Sequence, residues 1–123
     1  MVANVEKFGG KDIEIKEIYI PLIDSEYTQD ELKKLKNEFN FTPRILDINI
    51  NNYEGVISLT CDKTNKVDWY DDKHNLISTK FNFSERFITK FSVKNLYCSY
   101  IYFKVTGEYG EKVSKRFNLI AYK

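Results

Sequence analysis

From residue 44 onward the chain repeats one pattern: short runs with an apolar side chain at every second position, separated by clusters rich in Asn, Asp, Gly and Ser. A period of two is the spacing of a strand with one buried face. "RILDINI" (44 to 50) puts Leu46, Ile48 and Ile50 on one side, and "VISLTC" (56 to 61) does the same with Ile57, Leu59 and Cys61. "KVDWY" (66 to 70) offers Val67 and Trp69, "NLIST" (75 to 79) is a shorter run, and "RFITKFSV" (86 to 93) aligns Phe87, Thr89, Phe91 and Val93. "SYIYFKV" (99 to 105) aligns Ile101, Phe103 and Val105, and "KVSKRFNLIAY" closes the set with Val113, Phe117, Leu119 and Ala121. The intervening "NNYEG", "DKTN", "DDKHN", "NFSE" and "TGEYG" are turn chemistry. Seven short strands at roughly 8 to 12 residue spacing predict a mainly β chain, folded as an antiparallel sandwich or a barrel.

Residues 1–43 read as an N-terminal extension packed on a β domain of residues 44–123. In "DIEIKEIYI" (12 to 20) the alternation begins with Ile13 and Ile15 and slips by one to Ile18 and Ile20, as in a bulged strand or two strand pieces. Pro21 lacks the N–H a ladder needs and ends regular pairing there. "TQDELKKLKNEF" predicts one short helix over about residues 28–39: Thr28 and Glu31 form a capping box, and Leu32, Leu35 and Phe39 share a face. The helix is expected to lie on the sheet or close one end of it; docking into a partner's groove is the other use of such a motif.

A chain of 123 residues buries somewhat over ~60% of its unfolded surface, so neither metal nor disulfide is required for folding. Nineteen Lys plus Arg against eighteen Asp plus Glu leave a net charge of +1, and only Arg44, Arg86 and Arg116 carry the forked guanidinium. No global field draws phosphate backbones or anionic lipid, which argues against nucleic-acid and membrane partners. The N-terminal stretch lacks the unbroken apolar run of a signal peptide, so the chain reads as unexported, and as cytoplasmic if it is complete. A piece cut from a longer exported protein would look the same.

"GVISLTCDKTNKVDWYDDKHNLIST" (55 to 79) followed by "YIYFKVTGEYGEK" (100 to 112) resembles a bacterial immunoglobulin-like domain, with a B strand, a C strand at "VDWYDD", a short C′ and an F–G hairpin at "FKVTGEYG". The F–G stretch is similar to that of accessory domains at the ends of some bacterial multidomain proteins, including surface proteins and certain metal-dependent phosphoesterases. The resemblance implies an immunoglobulin-like β-sandwich in which Trp69, on the third of seven strands, is buried between the sheets. Antibody-type members bond strand B to strand F through a disulfide. Here Cys61 is in phase with the core, whereas Cys98 is in phase with Tyr100 and Tyr102, so the two thiols are expected to stay unbonded. In this class the B–C and F–G loops share one end, which would gather Asp62, Lys63 and Asn65 near Glu108 and Tyr109 as a binding site.

No catalytic set emerges from the sequence. A Gly-rich phosphate loop, a CxxC pair and an HExxH spacing are all missing, and no cofactor is implied. Asp71, Asp72 and His74 in one turn are competent metal ligands, but the same residues are what a tight turn prefers, and the turn is the stronger reading. The tripeptides beginning at Asn40 and Asn82 match a glycosylation pattern that no export signal supports. Tyr100 and Tyr102, out of phase with the core, either pack beneath the helix or form a dimer or partner interface. The leading expectation is a non-catalytic interaction or assembly module, alone or within a larger bacterial or phage protein, binding a protein or itself. The alternatives are an accessory domain of a larger enzyme such as a metal-dependent phosphoesterase, and a small metal-binding hydrolase.

Overall fold

The computed structural model describes residues 18–36, 43–82 and 84–120. In chain order they form β1 (Leu22–Ser25), α1 (Gln29–Lys36), β2 (Arg44–Asn51), β3 (Val56–Asp62), β4 (Lys66–Asp71), β5 (Leu76–Phe81), β6 (Arg86–Ser92), β7 (Tyr100–Gly107), β8 (Gly110–Val113) and β9 (Phe117–Ile120). The strands make two antiparallel sheets. The larger runs β1-β9-β7-β4-β5, with β8 also on β7, and the smaller runs β2-β3-β6. Helix α1 is the one helix among the described residues, and it is neither long nor apolar enough to cross a membrane.

The inner faces are the alternating residues of each strand: Ile57, Leu59 and Cys61 from β3, Val67 and Trp69 from β4, Ile101, Phe103 and Val105 from β7, all buried. Trp69 contacts Phe91 of the small sheet and Phe103 and Phe117 of the large one, so a single aromatic cluster ties the layers together. Each apolar side chain so buried contributes about 1.5–3 kcal/mol, which makes this cluster the main source of stability.

Three phases differ from those the alternation predicts. A bulge between Ile45 and Asp47 shifts β2, so that Ile45 is buried and Leu46 instead shares a tight crevice with Leu32 and Leu35 of α1. The last run divides at 114–116 into β8 and β9, both on the same edge of β7. Val113 consequently sits opposite Lys104 and is exposed, while Phe117 and Leu119 stay in the core. Cys98 precedes β7, so strand phase does not govern it; it is half-buried against the core and, like Cys61, a free thiol. Of the expected N-terminal strand only Ile18, Tyr19 and Ile20 fall among the described residues, and they are not in a strand; β1 begins after Pro21.

The N-terminal part is tied to the sandwich by α1, by Tyr27 and by the side chains of Asn52 and Asn95. The capping box forms: Thr28 N donates to Glu31 Oε1 at 2.9 Å and Glu31 N to Thr28 Oγ1 at 3.2 Å. Phe39 lies outside the described residues. Helix α1 packs on β2, and Tyr27 reaches Phe117, with its hydroxyl accepting from Lys115 N at 3.1 Å, so this segment closes the side of the sandwich between β2 and the β8–β9 break. Below, Asn52 holds β1 through Ile23 N at 2.6 Å, and Tyr19 exchanges hydrogen bonds with Asn95.

Candidate binding surface

Strands β4 and β7 are neighbours in the large sheet, and their register sets Lys66 against Thr106, Asp68 against Lys104 and Tyr70 against Tyr102. These residues alternate with Val67, Trp69, Phe103 and Val105, which point inward, so they form the outer face. Tyr70 and Tyr102 stack across the strands with ring centroids 5.3 Å apart and planes 17° from parallel. Tyr100, two residues along the same face, adds a third ring 6.5 Å from Tyr102. A cation stands at each end of the row: the Arg116 guanidinium lies 4.1 Å from the Tyr100 centroid and the Lys104 ammonium 5.8 Å from that of Tyr70.

His74 joins this row from the β4–β5 turn. Its Nδ1 lies 2.6 Å from the Tyr102 hydroxyl. Partial burial by its neighbours, and then the proximity of Tyr100 and Tyr70, push the Tyr102 phenol above its usual range, which keeps it a neutral hydroxyl at physiological pH. Asp68 is the one buried carboxylate among the described residues; it accepts from Thr79 Oγ1 at 2.8 Å and faces Lys66 Nζ at 3.4 Å. Since these contacts compensate its burial, Asp68 is a structural group.

Tyr70 and Tyr102 each present one face to the other, and cations lie over the rings of Tyr70 and Tyr100, so the row combines aromatic area with phenolic hydroxyls and positive charge. Such a surface suits contact with another protein: rigid amphipathic area ordered at low entropic cost.

The expected gathering of loops at the end of the sandwich is present in part. Asn65 N donates to Thr106 O at 2.7 Å, and a Cβ on Gly107 would lie 2.2 Å from the Lys63 carbonyl oxygen, so the β3–β4 loop is pressed against the start of the β7–β8 turn. Lys63 and Asn65 line an open depression of about 730 Å³ with Phe81, Asn82, Glu85 and Thr106. Glu108 and Tyr109 occupy the exposed two-residue turn beside it and do not line it. Asp62 is turned to Arg44 at 2.9 Å and is engaged in the fold. Asn82 is buried and spans the same end: its Nδ2 donates to Thr64 O and Ser84 O, and its Oδ1 accepts from Ser84 N. The fold thus uses the side chain of the second glycosylation-like tripeptide.

The turn residues Asp71, Asp72 and His74 do not converge. Asp71 Oδ1 accepts from the backbone N–H groups of Lys73 and Asn75, both at 2.9 Å, and this bonding, Asn75 first, holds its carboxyl below the usual range. Asp72 accepts from Ser99 N at 2.8 Å, and His74 faces Tyr102. No group of three or more His, Cys, Asp or Glu suited to a metal occurs among the described residues.

Tyr100 and Tyr102 were legible as outward residues, whereas Tyr70, His74 and Arg116 were not tied to them. Tyr70 is out of phase with Trp69, which could have marked it, but the pairing of β4 with β7 sets Tyr70 beside Tyr102, 32 positions along the chain. Neither a protein family, nor a curated relative, nor a solved structure matches this chain.

Proposed function

We propose that this protein is a non-catalytic interaction module of immunoglobulin-like topology, and that the outer face carrying Tyr70, Tyr100 and Tyr102 is its binding surface for a protein partner. The topology supports the first part. With β2 as strand A, β3 as B, β4 as C, β5 as C′, β6 as E, β7 as F and the β8–β9 pair as G, the sheets read A-B-E and G-F-C-C′, and the buried tryptophan is on C. Strand β1 is an addition on the G edge.

One observation carries the second part. Helix α1, the element whose apolar stripe could have covered the tyrosines, spends Leu32 and Leu35 on Ile45, Leu46 and Ile48 of β2 instead. The tyrosine row keeps an outward face that is half-buried, and a row of aromatic rings flanked by Arg116 and Lys104 has the composition of an interface centre. The non-catalytic reading is supported by what the reactive groups do: Cys61 is buried with its thiol pushed up to about 12, His74 is bonded to a phenol, and Asp68 and Asp71 serve the fold.

The test compares the wild type with a Tyr70→Ala/Tyr102→Ala variant and with Lys63→Ala/Glu108→Ala as a surface control. Sedimentation reads self-association, and quantitative affinity capture from the source cells reads partners. Self-association or a set of captured proteins that the control retains and the tyrosine variant loses, with the variant still folded by circular dichroism, is the expected result. Identical behaviour of all three proteins would reject the tyrosine face as a binding surface.

A further inference from the structure

Strand β6 is an edge. It pairs with β3 alone, and the bonds flanking that ladder, Val93 N to Gly55 O at 2.8 Å and Lys63 N to Glu85 O at 3.3 Å, fix which residues bond across it. Bonded pairs recur at every second position, so Phe87, Thr89 and Phe91 turn their backbone groups toward β3, while Ile88, Lys90 and Ser92 turn theirs outward. Arg86 O is met by Ser84 Oγ at 2.9 Å; no described residue bonds the outward backbone groups of Ile88 and Lys90.

The space beside this edge is also defined. Trp69 of β4 stacks on Phe91 of β6, so β6 lies over β4, and β5 extends one strand further without a described strand opposite it. Half-buried Ile77 of β5 packs on the core and shares a depression with Leu96, Tyr97 and Cys98, which bounds that space at one end. The opposite side of the sandwich is closed by α1 and β1; this one is open among the described residues.

The chemistry of the edge selects its occupant. Ile88 is 65% exposed between Arg86 and Lys90, both exposed, and no described carboxylate pairs with either cation. Like-charged side chains on an edge repel a second copy of the same strand, which guards against indiscriminate pairing, and they attract a strand of opposite charge. We infer that the β6 edge is a strand-addition site: an extended segment of a partner protein, alternating acidic with apolar residues, docks beside β6. Its backbone bonds to Ile88 and Lys90, its acidic side chains meet Arg86 and Lys90, and its apolar ones turn inward between β6 and β5. This surface is separate from the tyrosine row and stands or falls independently of it.

The probe is a short synthetic peptide alternating glutamate with valine, compared with one alternating lysine with valine, added to the full chain. The glutamate peptide should bind, slow amide exchange at Ile88 and Lys90, and leave the β3 amides unchanged. Ile88→Pro removes an outward N–H that β3 does not use, and Lys90→Glu reverses a charge while leaving the backbone intact; each should weaken binding by about tenfold or more. Protection of Ile88 and Lys90 by neither peptide, or by both equally, would overturn the proposal, as would binding that survives both substitutions. Concentration-dependent protection of the same amides without peptide would assign the edge to a second copy and overturn the choice of partner.

Discussion

Trp69 lies face to face with Phe91 across the two sheets, the ring centroids 4.6 Å apart and the planes 13° from parallel. This contact joins β4 to β6 with no main-chain bond between them. Trp69→Ala should therefore destabilise the protein by about 3–5 kcal/mol in a denaturant titration. Tyr53→Ala, at a ring 92% exposed in the β2–β3 turn, should change stability by no more than about 0.5 kcal/mol. Equal costs would mean that the inner and outer phases are misassigned.

Gly107 is required for space. A Cβ there would meet the Lys63 carbonyl oxygen at 2.2 Å and Pro43 Cγ at 3.0 Å, and the backbone atom has little room to withdraw. Gly107→Ala should cost about 1–3 kcal/mol and shift the amide resonances of residues 63–65, which would register displacement of the β3–β4 loop. A stable variant with an undisturbed loop would contradict this packing.

The two thiols should react differently. Burial pushes Cys61 up to about 12 despite a contribution from Thr64 in the other direction, and Cys98, half-buried and near Asp72 and Asp71, is raised for the same leading reason. Titration of the native protein with a thiol reagent should label Cys98 slowly and Cys61 only on unfolding. Rapid labelling of both would show that β3 is not buried as described.

Asp71 supplies a pH dependence with a definite sign. Its folded carboxyl is held low by backbone N–H groups, so the contribution of the charged form is present at neutral pH and is lost as the pH falls below about 4 and through the lowered folded value. Asp71→Asn keeps one acceptor oxygen and loses the charge. The stability gap between wild type and variant should be open at pH 7 and close in acid; a gap independent of pH would assign the effect to the turn geometry alone.

Much of this fold was legible along the chain. Within β3, β4, β6 and β7 the core residues keep one phase from end to end, although Ile88 of β6 and Val56 of β3 are apolar on the other, and the capping box of Thr28 and Glu31 announces α1. Legibility failed where a strand breaks its own period. Leu46 and Val113 were expected inward because nothing in the residues around them marks the bulge in β2 or the division at 114–116. A bulge is decided by what the neighbouring strand and helix need, and Leu46 is turned by Leu32 and Leu35. The candidate surface was half legible for a related reason: phase identifies Tyr100 and Tyr102 as outward, but only the β4–β7 register brings Tyr70 beside them and His74 over Tyr102.

The sequence by itself determined that the chain is mainly β, which residues of most strands face a core, and where the helix begins, because periodicity and capping are properties of neighbours in the chain. The tertiary structure alone decided which strands lie side by side, that α1 covers β2 and leaves the tyrosine row outward, and that β6 ends its sheet. Those outcomes depend on contacts between residues tens of positions apart, where packing of the whole interior, and not local preference, sets the free energy.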